Sequence, residues 1–183
     1  MKKEDIVEPD PRVIGPMLFD LAFAMEEAVI REMYAKLAAA DMNRHTKPHA
    51  HPSFVEIIKQ MTTIDTKVLK EHRRRPHGIF SVRLPQHPGF VDIGKVPTLK
   101  IAGLSEDDIL LSTSNLVRLG LLRFDVRYPT SMDDEGPEVL KRFAPYQEAL
   151  SADPKKKDAK LSLGNEGIFV TPIGTSFLQV CLP

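Results

Sequence analysis

The sequence predicts an α+β protein, mainly helical, with an N-terminal helical arm and a winged-helix-like body that carries a small antiparallel sheet. Three observations predict it. Apolar residues recur at spacings of three and four through much of the chain, two short segments alternate apolar with polar residues, and prolines and glycines gather in long connections between them. A chain of 183 residues is the size of one ordinary domain, and a hydrophobic share of 42% supports a packed core. The expected organisation is an arm and connection over residues 1–52, then a body over 53–183 with a long insertion at about 129–165.

The arm's helix is expected from Met17 to about Ala40. Leu18, Leu21, Ala22, Met25, Ala28, Val29, Met33 and Leu37 form a stripe, and Phe19, Phe23, Ile30 and Tyr34 widen it. A stripe of double width buries more than one face, so Phe19, Phe23, Ile30 and Tyr34 are the candidate partner-binding residues. Residues 41–52 are polar and read as a connection. Ser53, three residues before Glu56, has the spacing of a capping box and opens a helix whose buried face is Phe54, Ile57, Ile58 and Met61. A break at Thr62 and Thr63 restarts a short helix with Ile64, Val68 and Leu69.

Phe80, Val82 and Leu84 alternate with Ser81 and Arg83, as in a half-buried strand, and residues 85–104 read as loop. Ser105 and the acids Glu106, Asp107 and Asp108 open a helix that runs to Leu119 and stops at Gly120. Leu121 to Tyr128 alternates as a second strand. The insertion holds an interrupted helix around Val139, Leu140, Phe143, Tyr146 and Leu150, with Pro145 inside it. Gly167 to Thr171 is a third strand, and Thr171 with Pro172 caps a final helix burying Ile173, Phe177, Val180 and Cys181. The order of these later elements is that of a winged helix.

Composition narrows the function classes. Twenty-five Lys and Arg balance 25 Asp and Glu, so no net charge draws the chain to nucleic acid or to an anionic membrane. One cysteine excludes an internal disulfide framework and a Cys-rich zinc module. No apolar run spans a bilayer and the start lacks a signal-peptide core, so the expected location is the cytoplasm.

The search for chemistry is mostly negative. Phosphate-loop, nucleophile-elbow and His-Glu-x-x-His patterns are absent. His45, His49 and His51 could seat a metal-dependent hydrolase, but no acid lies between Asp41 and Glu56 to complete the ligands, and His51 before Pro52 reads better as a helix entry. Arg73, Arg74 and Arg75, with Arg83, are candidate phosphate or nucleic-acid contacts, against the plainer reading of a solvated helix end. Three carboxylates where a reading helix would enter a groove disfavour duplex binding. Cys181 reads as a packing residue, the acids 133–135 as a turn, and Lys155 to Lys157 as a loop tip. No catalytic residue, cofactor or metal is expected.

The blocks EEAVIREMYAKLAAADMN, HPSFVEIIKQMTTIDTKVLKEH, NLVRLGLL and VTPIGTSFLQVC, between Glu26 and Cys181, resemble the bacterial abortive infection alpha family, a domain of unknown function linked to phage resistance. The family typically carries a further N-terminal region, often rich in Gly and Ala, that this sequence does not show. The resemblance implies a defence-related protein and supplies no catalytic residue. The expected function is therefore a non-enzymatic interaction module that binds a protein partner or a second copy; the alternative is a winged-helix nucleic-acid-binding regulator.

Overall fold

The computed structural model describes residues 3–22, 24, 26–86, 88–125, 136–153, 160–162 and 167–182. These group into two compact units. The first takes residues 1–74, 112–122 and 170–183; the second takes 75–111 and 123–169.

The first unit is helical. Helix α1, Pro11–Leu21, starts at Asp10, whose carboxylate accepts the Arg12 amide at 2.8 Å, and Pro11 occupies the first turn, where its missing N–H costs nothing. Helix α2 is Ala28–Asp41. The single expected helix from Met17 is thus two, divided at residues 22–27, and α1 begins ahead of Met17 with Gly15 and Pro16 inside it. Glu26 and Glu27 precede α2, where carboxylates meet the positive end of a new helix dipole. Helix α3 is Ser53–Lys59 and helix α4 is Thr63–Arg74. Ser53 is not the cap of α3 but its first residue; the cap position is Pro52, and the Ser53 amide donates to His51 Nδ1 at 3.1 Å just ahead of it.

Helix α5, Glu106–Arg118, runs from the second unit's residues into the first's, with a reciprocal Ser105–Asp108 capping box at its start and Gly120 at φ +74° after its end. The last helix, here numbered α8, is Pro172–Cys181, capped by Thr171 Oγ1, which accepts the Gly174 amide at 2.9 Å. It packs on α2 and α4, and its Phe177 ring meets Phe54 edge-on at 5.2 Å.

The second unit is built on a small antiparallel sheet. Strand β1, His77–Pro85, pairs with β2, Phe90–Pro97, in a segment expected to be loop. The register slips between Val82 and Arg83, opposite Gly94 at φ +137°, so a bulge breaks the alternation that would have marked the strand. Strand β3 is Leu122–Asp125, β4 is Lys160–Ser162 and β5 is Gly167–Val170; the order is β2–β1–β5–β3, with β4 also on β1. Neither β2 nor β4 belongs to the expected winged-helix order.

Helices α6, Gly136–Arg142, and α7, Ala144–Ala152, cover this sheet. Pro145 does not interrupt a helix: it sits in the first turn of α7. Val139, Phe143 and Tyr146 join Phe80, Val82, Leu84 and Val96 in one buried cluster, so the described helices of the insertion are core rather than an appendage. The sequence readings at residues 126–128, 133–135 and 155–157 lie outside the described residues.

Candidate partner-binding pocket

In α1, Val13, Met17 and Asp20 fall at spacings of four and three, which puts all three on the buried face. Asp20 is only 5% exposed although it is a carboxylate. In α2, Ile30, Met33, Tyr34 and Leu37 make the facing stripe, and α3 brings Ile58 and Lys59. Helices α1, α2 and α3 pack against one another within the first unit.

They enclose a pocket of about 420 Å³. Phe19, Ala24, Ile30, Ile58 and Met61 give it apolar walls; Asp20, Glu27, Tyr34 and Lys59 supply its polar groups. Lys59 Nζ lies 3.0 Å from Asp20 Oδ1, and its side chain is half exposed. That contact holds the Lys59 ammonium above its ordinary pKa. Burial pushes the Tyr34 phenol up to about 12, and the carboxylates of Asp20 and Glu56 push the same way. Leu18 and Phe19 remain 60% and 69% exposed.

Of the residues expected to meet a partner, the structure brings Phe19, Ile30 and Tyr34 to this pocket. Ile30 and Tyr34 are also part of the unit's own core, and Phe23 lies outside the described residues. Sequence reasoning missed Asp20, Glu27, Lys59, Ile58 and Met61 as pocket residues. The available signal was Asp20, a charge in phase with the apolar stripe. A charge in that position must find a counter-charge or a ligand.

The other expected contacts lie elsewhere. Arg73 and Arg74 are exposed in the last turn of α4, with Arg74 Nη1 donating to Glu71 at 2.9 Å. Arg75 and Arg83 are exposed in the second unit, Arg83 on β1 opposite Asp92. His45 Nε2 meets Asp5 Oδ1 at 3.0 Å and His51 is engaged at the start of α3. Among the described residues, no group of three or more His, Cys, Asp or Glu is placed to hold a metal ion. Cys181 is buried, which pushes its thiol pKa up and keeps it protonated.

A larger cleft of about 630 Å³ in the second unit lies between the start of α5 and the α6–α7 corner. Its central charges compensate each other. Arg142 Nε is 3.4 Å from Glu106 Oε1, and Arg142 also donates to the Pro97 carbonyl. Burial raises the Glu106 pKa and Arg142 opposes the rise. With both ends of the pair engaged, this cleft ties α5, α6 and β2 together.

Together these features define a mainly helical α+β protein with an apolar, acid-bearing pocket in its helical unit; among the described residues, no helix is long and apolar enough to cross a membrane. Its sequence matches the family described as abortive infection alpha over residues 1–181, and the chain belongs to that family. The match takes in residues 1–25, which the resemblance between Glu26 and Cys181 left out. No curated protein matches the chain. Among solved structures, an uncharacterized protein from the hydrocarbon-degrading marine bacterium Alcanivorax borkumensis SK2 is similar at 10% identity and a TM-score of 0.44, over 75% of this chain and 94% of that one.

Proposed function

We propose that this chain is a non-enzymatic interaction module of a bacterial anti-phage response, acting in the cytoplasm, and that the pocket between α1, α2 and α3 receives a side chain of a protein partner. The observation that carries the reading is the pocket itself: a recess of about 420 Å³ walled by Phe19, Ile30, Ile58 and Met61, with Phe19 and Leu18 left in solvent at α1. An exposed aromatic next to an apolar recess is the arrangement from which interface anchors are made.

The test is phage plating on cells that express the full chain or its Phe19→Ser variant, with the chain cross-linked and recovered after infection. Phe19 is exposed, so the variant should keep its melting temperature while losing both protection and the cross-linked partner. A folded Phe19→Ser chain that protects as well as the original and captures the same protein would remove the pocket from the function.

A further inference from the structure

We infer that the pocket is selective for a cation on an apolar stem: a lysine or arginine side chain of the partner, next to an apolar neighbour, with Asp20 as its counter-charge and Lys59 as the resident competitor. This deepens the reading of the pocket as a partner site and rests on it.

Four observations converge. Asp20 is buried on an apolar helix face, and among the described residues its one partner is Lys59 Nζ at 3.0 Å. A carboxylate offers about four acceptor positions, so one ammonium leaves others open to water or to a guest's donor. Second, the lining carries two carboxylates, Asp20 and Glu27, against the single ammonium of Lys59. Third, Tyr34 is 1% exposed, lines the pocket and makes no hydrogen bond among the described residues. Burial raises its phenol most, and the carboxylates of Asp20 and Glu56 push the same way. Fourth, Phe19 and Tyr34 contribute rings to the lining, and the face of an aromatic ring attracts a cation.

An anionic guest would meet repulsion here, and a neutral one could donate a hydrogen bond to Asp20 without answering its charge. Lys59 already stands where a guest's ammonium would stand. Its half-exposed side chain can swing into water at small cost, keeping its charge hydrated, while a guest that also fills the apolar walls gains their burial. The internal lysine therefore weakens the site for cations.

Three compounds sharing one ring separate these ideas: 2-phenylethylamine, 2-phenylethanol and 3-phenylpropanoate, titrated into the full chain at neutral pH and low salt and followed by amide NMR shifts of the pocket residues. The amine is expected to bind about tenfold tighter than the alcohol, with the acid weakest. Lys59→Met should tighten the amine severalfold and leave the alcohol unchanged, and Asp20→Asn should abolish the preference. If Asp20→Asn fails to fold, Lys59→Met carries the test alone. Equal affinities for all three compounds, or an amine weakened by Lys59→Met, would overturn the charge inference while leaving an apolar recess for a partner. Binding of none of them at millimolar concentration would sink both readings.

Discussion

Asp65 shows what a buried carboxylate does when donors from two helices converge on it. It is 2% exposed, accepts the Thr62 amide at 2.8 Å and hydroxyl at 3.0 Å, and so completes a capping box at the start of α4. It also accepts from Ser112 Oγ at 2.7 Å and Asn115 Nδ2 at 3.1 Å, both on α5. Asp65→Ala would leave the buried Ser112 hydroxyl without its acceptor as well as removing the cap; a loss of about 3 kcal/mol is expected, and roughly half of that for Asp65→Asn, read as a lower urea midpoint at unchanged slope. Asp20, equally buried, has Lys59 alone among the described residues, and that contrast is why Asp20 and not Asp65 is assigned to binding. Tyr34 adds a pH signature. Its folded pKa of about 12 lies above the ordinary 10, so the folded state holds the proton more tightly; its contribution to stability is complete below pH 10 and is lost as pH rises toward 12. Tyr34→Phe should flatten the fall of thermal stability in that alkaline window and reduce the phenolate absorbance gained as pH rises toward 12. An identical alkaline profile in the variant would contradict the placement of Tyr34. At the other extreme Asp10, held down to about 2 by hydrogen bonds from Arg12, favours the fold above its ordinary 3.8 and loses that effect as pH falls toward 2.

At the scale of elements, α8 depends on a glycine for reasons of space. A Cβ on Gly174 would come 2.2 Å from the Leu121 carbonyl oxygen and 2.9 Å from Val170 Cγ1, and neither the helix start nor the backbone at Leu121 can yield that far. Gly174→Ala is expected to cost about 3 kcal/mol despite its better helix propensity, whereas Gly120→Ala, with open space but a φ of +74°, should cost about 1 kcal/mol. Denaturation of the two variants side by side checks the order, and a Gly174→Ala chain as stable as the original would show that α8 can move away from Leu121. The same distinction explains which elements were legible in the sequence. Caps and clean periodicity announced α5, β1, β5 and α8, because Ser105 and Thr171 cap amides of their own next turn, and the break at Thr62 and Thr63 announced α4. The break between α1 and α2 has neither Gly nor Pro at residues 22–27, so no local signal marks it. Strand β2 was hidden by its own bulge: Gly94 shifts the phase of Phe90 to Pro97, and the Pro-rich flanks read as loop. Of the pocket, Phe19, Ile30 and Tyr34 were legible as an overly wide stripe. Lys59 and Met61 were not, because their neighbours in the pocket, from Phe19 to Tyr34, lie far earlier in the chain, and no local spacing encodes that meeting.

Across the whole molecule, the first unit is assembled from three separated stretches, 1–74, 112–122 and 170–183, and its core is closed by the last of them. Phe177 and Cys181 are fully buried and Leu178 nearly so, with Phe177 against Phe54 and α8 packed on α2 and α4. Thr171 anchors this stretch to the middle one through its amide, 3.0 Å from the Leu121 carbonyl, and its hydroxyl, which donates to the Gly120 carbonyl at 2.6 Å. During synthesis the helices that form the pocket therefore complete their core only after the chain's final dozen or so residues emerge, an ordering set by contacts of long sequence separation. A chain ending at residue 169 should keep helical signal in the far ultraviolet, lose its near-ultraviolet signal and cooperative melt, and bind a hydrophobic dye, because removal of α8 exposes the apolar faces of α2, α3 and α4 together. The pocket should go with it: the truncated chain should show no shift with 2-phenylethylamine even where the full chain does. A truncated chain that melts cooperatively within a few degrees of the full one, with the amine still bound, would mean that α1, α2 and α3 hold their arrangement unaided. In that case the pocket would be a property of the first 74 residues alone, and the closing role given to α8 would be wrong.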